Sequence, residues 1–470
     1  MQRVEEHIRE ECGVFGIWGN GSEDAAHTIY QGLLALQHRG QESAGIVVCD
    51  TKGPIGNITC RKEMGLVSEI FHRENLEQLH GNIGIGHVRY STTGGSEKAN
   101  AQPIVLNYLK GTLALAHNGN IINAAELREE LQQDGAVFNG TSDSETVAYK
   151  IAKCRVRCSS IEEAVIETAR QIRGGYALLI LSPRKLIAVR DPFGIKPLCV
   201  GKLGESYLLA SESCAIESVG GTVLRDVEPG EVLAITKEGM QVVDHLQAPC
   251  RAHCIFEYIY FARVDSRMDG ISVYDARIRG GRALARRYPV EADVVTGVPD
   301  SGLVAAVGYA RESGIPFELA FHKNSYIGRT FIKPTQEERV SSVQAKLNVL
   351  ASVVRGKRVV LIDDSIVRGT TIANLIRMMR KSGAKEVHVR ISSPPFLYPC
   401  YYGTDVPDNS QLIANHLSTE EICRQIGADS LGYMKIEDFS CMTGDLPLCR
   451  ACFDNHYPVK YPETTEGTEE

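Results

Sequence analysis

The stretch Arg358-Val-Val-Leu-Ile-Asp363-Asp364-Ser365-Ile-Val-Arg368-Gly369-Thr370-Thr371 decides the fold of the second half of the chain. Its apolar, β-branched opening reads as a strand, its acidic and glycine-bearing centre as a loop, and residues 370–382 as a helix. Ile372, Leu375, Ile376 and Met379 fall on one helical face, Arg377, Arg380 and Lys381 sit in the last turns, and Gly383 supplies the C-cap. A strand at 386–391 follows. Working outward, a helix at 276–288, a strand at 293–298 and a helix at 302–313 continue the same rhythm. Strand–helix–strand alternation predicts a parallel α/β sheet.

In such a sheet, ligands gather beyond the carboxyl ends of the strands, where the 363–369 loop must lie. Two carboxylates followed by a Gly/Thr-rich turn suit a sugar phosphate. Asp363 and Asp364 can accept from ribose hydroxyls and hold Mg²⁺, while N–H groups and Ser/Thr hydroxyls ahead of the helix can cradle a 5′-phosphate. The loop is not a Walker A loop, because it lacks a Gly-Lys-Ser/Thr ending. Asp-Asp by itself reads more simply as solvated acids in an ordinary α/β turn.

The first half has a different pattern. Strand-like runs at 14–18, 44–48, 83–88, 112–116, 177–182 and 186–189 are separated by Gly-containing breaks. Helical patterns fall at 25–37, 124–132 and 142–154, the last with Asp143 and Glu145 in its first turn, where the dipole favours anions. These blocks predict an α+β sandwich layered by helices. The boundary falls between 230 and 275, near Glu228-Pro-Gly-Glu231 and the polar 247–253 stretch, and is set at 245/246.

Glu10-Glu11-Cys12-Gly13-Val14-Phe15-Gly16 places a thiol at the mouth of an apolar strand. A free cysteine titrates near pH ~8.5 and needs help to be a nucleophile at neutral pH. Cleavage before Cys12 would give it an α-amine of pKa about 8 to act as base. For a lone cysteine, a buried strand position is the simpler reading.

The surroundings reverse that preference. Cys12-Gly-Val-Phe-Gly, Leu36-Gln-His-Arg-Gly-Gln-Glu-Ser-Ala-Gly45, Gly86-His-Val-Arg-Tyr-Ser-Thr92, Ala116-His-Asn-Gly119 and Thr141-Ser-Asp-Ser-Glu145 occur in order. Together they resemble the glutaminase domain of the N-terminal-nucleophile amidotransferases, an αββα sandwich. The resemblance implies an autocatalytically removed propeptide at 1–11, Cys12 as nucleophile with its amine as acid/base, and Asn118 with the Gly119 N–H as oxyanion hole. It assigns Arg89, Thr92 and Asp143 to glutamine. Arg89 suits a bidentate grip on the α-carboxylate, and Asp143 suits the α-ammonium.

The Asp363–Thr371 stretch likewise resembles the phosphoribosyl pyrophosphate (PRPP) signature of the type I phosphoribosyltransferases, implying Ser365, Arg368, Gly369, Thr370 and Thr371 as further contacts. Val298-Pro-Asp-Ser301 resembles that family's pyrophosphate loop, with Ser301 a Mg²⁺ ligand. Lys323-Asn-Ser-Tyr326-Ile-Gly-Arg329 resembles its flexible catalytic loop, so Lys323, Tyr326 and Arg329 would meet PRPP.

Joined, the two halves resemble the glutamine PRPP amidotransferases. That implies a glutaminase domain at 12–245, a phosphoribosyltransferase domain at 246–460, a disordered tail at 461–470 and internal passage of ammonia. It also implies purine-nucleotide inhibitors, a homotetramer and a place at the first committed step of purine synthesis. Val264, Gly302 and Ser325 depart from the family pattern, which has proline, serine and arginine there. Cys254-Ile-Phe-Glu-Tyr-Ile-Tyr-Phe-Ala-Arg263 matches no simple structural pattern.

Fourteen cysteines are many for a cytosolic protein. Cys49, Cys199 and Cys214 lie beside apolar runs and read as small buried hydrophobes. Cys449-Arg-Ala-Cys452 alone could be zinc, redox or coincidence. In the iron–sulfur branch of the resembled family, Cys254, Cys400, Cys449 and Cys452 match the ligands of one [4Fe–4S] cluster, with zinc the alternative. No apolar run approaches the ~18–20 residues needed to span a bilayer, and the leader has no apolar h-region, so a cytoplasmic location is expected. The net charge of −7 over 470 residues, without long single-sign runs, argues against nucleic-acid binding. A glutaminase feeding another acceptor and a PRPP-sensing regulator are the rival readings.

Overall fold

The structure is a computed structural model that describes residues 12–19, 24–51, 57–90, 95–324, 347–404, 406 and 409–460. The expected propeptide, Thr92, Tyr326, Arg329, Ser325 and the 461–470 tail lie outside the described residues.

Thirteen strands build the first half: β1 (Gly13–Trp18), β2 (Ser43–Asp50), β3 (Asn57–Met64), β4 (Ile83–Arg89), β5 (Ile104–Tyr108), β6 (Gly111–Ile121), β7 (Gly174–Ser182), β8 (Lys185–Arg190), β9 (Cys199–Leu203), β10 (Ser206–Ala210), β11 (Thr222–Asp226), β12 (Glu231–Thr236) and β13 (Gly239–His245). They form a seven-stranded sheet in the order β11-β9-β10-β1-β4-β2-β3 and a six-stranded sheet in the order β13-β12-β8-β7-β6-β5. Strand alternation explains the layering. In β1, Phe15 and Ile17 pack with Ala26, Ile29 and Leu33 of the helix Ala25–Ala35, whereas Val14 and Trp18 point into the layer shared with Ala116, Leu179 and Ala188 of the other sheet. Leu115 and Leu178 on the far side meet the helices Asp143–Arg157 and Ile161–Ala169. The result is helix–sheet–sheet–helix, the αββα sandwich expected.

β6 extends beyond the expected 112–116 run to Ile121, because its register with β7 continues through Asn118↔Ala177 and Gly119↔Tyr176. Strands β3, β5 and β9 to β13 lie outside the runs read from the sequence; β3, β5, β11 and β13 are sheet edges, where alternation is diluted by polar residues, whereas β9, β10 and β12 are interior.

In the second half β14 (Val294–Gly297), β15 (Arg358–Asp363), β16 (Glu386–Ile391) and β17 (Ser430–Tyr433) pair in parallel in that spatial order. The helix Thr370–Lys381 buries the face expected of it, Ile372, Leu375, Ile376 and Met379, against the sheet. Gly383, at φ +97, follows its C-cap Ser382.

The stretch that matched no pattern, 254–263, contains a π-helical turn, Glu257–Phe261, buried between the halves. Gly302 also acquires a reason. A Cβ there would stand 2.5 Å from the Ile362 carbonyl oxygen, so the helix Ser301–Ser313 approaches β15 more closely than a side chain permits. Gly302→Ala should therefore cost about 1–3 kcal/mol, read as a lower urea midpoint at unchanged slope.

Candidate active sites

Cys12 stands just before β1, and the β1–β4 register sets Gly13 beside Val88, bringing the thiol next to the end of β4. Its Sγ donates to the Tyr90 carbonyl at 3.3 Å. Burial pushes the thiol up to about 11, with the positive charge of Arg89 opposing and the negative charges of Asp143 and Glu42 reinforcing the rise. Three expected site residues, Cys12, Arg89 and Asp143, are thus close enough to act on one another. With an amide nitrogen before it, this thiol is almost wholly protonated at pH 7. It needs a base.

Asp143 lies in the first turn of its helix, capped by Ser142. Its Oδ2 accepts from Ile121 N at 2.9 Å and its Oδ1 from Ser144 N at 2.8 Å, which fixes the carboxylate beside β6. Arg89 is buried, donates to the Gly95 carbonyl at 3.2 Å and stands 3.8 Å from Glu42. Asn118 is 0% exposed, and among the described residues neither atom of its side-chain amide has a hydrogen-bond partner. Such a group costs about 1–3 kcal/mol unless something else satisfies it. Gly119 follows at φ +131, where a Cβ would meet the Gly175 carbonyl oxygen at 2.0 Å. Only glycine fits.

Beside them lies a network that the motifs did not reveal. Gln102 accepts from His117 N at 2.7 Å and donates to Ser144 Oγ at 3.0 Å, which also meets His117 Nδ1 at 3.0 Å. Burial lowers the pKa of His117 and takes that of His87 to about 3.

Arg39, quoted within the Leu36–Gly45 motif without a role, is fully buried at the junction of the halves. Its Nε donates to the Cys12 carbonyl at 3.1 Å, and its other nitrogens donate to Glu212 at 2.7 Å and to Glu257 at 2.6 and 3.0 Å. Arg277 in turn donates to the carbonyls of Tyr258, Tyr260 and Ala262, gripping the π-helical turn that carries Glu257.

In the second half, Asp363 and Asp364 end β15, both buried, with Ser301 and Ser365 donating to the two oxygens of Asp364. Burial and then the charge of Asp364 push Asp363 well above the usual carboxylate range. The helix Thr370–Lys381 begins at Gly369, φ +84, with no side chain capping it, so its first N–H groups face the loop. The Pro299–Asp300 peptide is cis. Lys323 pairs with Asp300, and Arg368 turns to Gln411.

Cys254, Cys400, Cys449 and Cys452 line one largely enclosed, apolar cavity with Phe256, Phe396 and Tyr402. Cys254 and Cys449 are cross-strand partners, while Cys250 is exposed. Burial, then Cys400, pushes Cys449 up to about 12. The same effects raise Cys452, with Cys254 and Cys449 adding to the rise.

Comparison with known proteins matches a domain in each half. Residues 87–218 match the model of a glutamine amidotransferase domain, and 276–392 that of a phosphoribosyl transferase domain. The amidophosphoribosyltransferase of Methanocaldococcus jannaschii is 46% identical over 466 residues, covering 96% of this chain and 98% of that one. The chain belongs to the amidophosphoribosyltransferase family. Another member, from Bacillus subtilis, is 46% identical over 97% of this chain and 96% of its own. A solved family structure, the B. subtilis glutamine PRPP amidotransferase complexed with ADP and GMP, superposes with a TM-score of 0.89 at 44% identity, covering 96% of this chain and 98% of that one. A second, described as the allosteric regulatory enzyme of purine biosynthesis, gives 0.90 at 45% identity, covering 97% of each chain. No described helix is long and apolar enough to cross a membrane.

The junction of this family member has a pH signature. Burial alone would push Glu212 up, but His38, Arg39 and Ser266 outweigh it and hold the carboxyl below its usual range. A depressed carboxyl contributes stability that is full above its unfolded pKa, about 4.3, and is lost as pH falls toward the folded value. The urea midpoint of the wild type should therefore drop more steeply below pH ~4 than that of Glu212→Gln. Equal acid slopes would remove Glu212 from this role.

Proposed function

We propose that the chain converts PRPP, glutamine and water to 5-phosphoribosylamine, glutamate and pyrophosphate, the first committed step of purine synthesis, with glutaminase chemistry in residues 12–245 and phosphoribosyl transfer in 246–460. The observation that carries this reading is the buried, unpartnered amide of Asn118 beside a glycine that tolerates no side chain, on the strand next to Cys12, Arg89 and Asp143.

Arg89 holds the glutamine carboxylate and Asp143 the ammonium, with Thr92 assigned beside them. Removal of residues 1–11 frees the Cys12 amine, which takes the thiol proton. The thiolate attacks the amide carbonyl while Asn118 Nδ2 and Gly119 N–H donate to the oxyanion. Each such donor is worth about 2.7–4 kcal/mol in the transition state. The tetrahedral adduct collapses to a thioester as the protonated leaving nitrogen departs as ammonia. Water then releases glutamate.

Ammonia attacks C1 of the ribose, and pyrophosphate leaves. Asp363 and Asp364 accept from the ribose hydroxyls, and the N–H groups and hydroxyls of Ser365, Gly369, Thr370 and Thr371 hold the 5′-phosphate. Lys323, Tyr326, Arg329 and Arg368 are assigned to the anionic ligand by the family resemblance, and Lys323 would exchange Asp300, and Arg368 Gln411, for phosphate oxygens. Two adjacent buried carboxylates with a hydroxyl on one of them fit a divalent cation, and Asp363, Asp364 and Ser301 would hold Mg²⁺, which offsets phosphate charge.

Four thiols facing one apolar void fit a thiolate-bound metal centre, because they cannot ionise together there without positive charge. Among the described residues no three ligating side chains converge closely enough for a single ion. By resemblance to the iron–sulfur branch of the family, Cys254, Cys400, Cys449 and Cys452 would hold a [4Fe–4S] cluster, with one zinc the alternative. Purine-nucleotide inhibition, a homotetramer and a cytoplasmic location belong to the same reading, supported by the family.

Cys12→Ser should abolish glutamine-dependent product formation and leave ammonia-dependent formation largely intact. Equal loss of both would refute the division of labour. Intact mass of the active protein should show a chain beginning at Cys12. Protein purified without oxygen should carry iron and sulfide with a broad visible absorption, and colourless protein containing one zinc per chain would replace the cluster.

A further inference from the structure

The segment that carries Cys400 is laid directly against the strand end that carries Asn118 and Gly119. Asn120 donates from Nδ2 to the Tyr401 carbonyl at 2.8 Å. Gly403 has φ +115, and a Cβ on it would lie 3.1 Å from the Gly119 carbonyl carbon and 3.1 Å from Lys196 Nζ. Behind them, a Cβ on Gly175 would stand 2.8 Å from Ile195 Cγ2 and 3.2 Å from Tyr402 Cβ. Gly119, Gly175 and Gly403 thus let two backbones and a lysine head pack together with no side chain between them.

Lys196 is the charged member of this contact. It is 1% exposed and lies in the wall of the cavity that the four cysteines line. Its charge reaches Cys449 on one side and His117, the neighbour of Asn118, on the other. The position is also fixed from behind. Asp191, 0% exposed, accepts from the backbone nitrogens of Phe193, Ile195 and Lys196, each at 3.0 Å, so the turn that presents Lys196 is locked.

We infer that Lys196 is a positioning residue for glutamine hydrolysis: over Gly403 it clamps the end of β6 so that Gly119 presents its N–H to the oxyanion, and its ammonium is the buried countercharge to the thiol-lined centre behind it. The inference rests on the glutaminase and metal-centre assignments above. One cation between two sites that carry negative charge favours both. Removing it weakens retention of the centre and the hold on the oxyanion together, while the Asp363–Asp364 site is untouched.

The test uses full-length, mature protein purified without oxygen. Lys196→Met should lower kcat for glutamine hydrolysis by about tenfold or more with KM for glutamine within about twofold, the split expected of a group felt mainly in the transition state. Ammonia-dependent activity should stay within about twofold, iron per chain should fall, and the visible band should bleach faster in air. Lys196→Arg should restore most of the glutamine kcat and of the iron. Gly403→Ala, with the lysine intact, should reproduce the selective loss in kcat.

Full glutamine kcat in Lys196→Met, or equal loss of both activities with no rescue by arginine, overturns the proposal. If the methionine variant does not fold, unchanged glutamine kcat in Gly403→Ala overturns it instead. A wild-type protein without glutamine-dependent turnover, or without a metal centre, would sink the parent assignments before any variant is compared.

Discussion

The guanidinium of Arg39 is the interaction on which the arrangement of the two halves depends. A fully buried cation is tolerable only where carboxylates surround it, and here one comes from each half, Glu212 and Glu257. The same side chain holds the Cys12 carbonyl. The nucleophile's own backbone is therefore part of the junction. Glu257 can reach it because it sits on a π-helical turn whose carbonyls are held by Arg277. Glu212 collects further donors from Arg263 N and Ser266 Oγ in the second half. Breaking any one of these leaves a charge buried without its partner. The two chemistries consequently share one rigid frame.

Around that frame the two sites follow different physics. The proposed glutaminase site draws on both sheets, with Cys12 just before the central strand β1 of one and Asn118–Gly119 on β6 of the other, and among the described residues the Asn118 side-chain amide has no partner. The proposed transferase site is the carboxyl end of a parallel sheet, where two adjacent buried acids lie beside a helix start that no side chain caps. The cysteine-lined cavity takes its walls from both halves, and the Tyr401–Gly403 backbone joins it to the strand that carries Asn118 and Gly119.

Much of this was legible beforehand. The helix Thr370–Lys381 buries the residues its periodicity named, the strand Glu386–Ile391 has the limits read from the sequence, and Cys49, Cys199 and Cys214 are buried, the first two in apolar clusters and Cys214 against Glu212. Local signals work where one face is apolar and the ends carry capping residues. They fail at the edge strands β3 and β13, and at the 254–263 stretch, where an acidic residue inside an apolar run has no local explanation. Its partner, Arg39, is over two hundred residues away.

By itself the sequence determined the two fold classes and the order of the halves. Those depend on spacing along the chain, and spacing is written in the sequence. Tertiary structure alone decided that the Asn118 side-chain amide has no partner among the described residues, that Gly302, Gly119 and Gly403 are places where backbones touch, and that Lys196 faces a thiol-lined cavity. Each of those facts is a distance between segments remote in sequence. Such distances are set by packing and by the cost of burying charge, which no local pattern records.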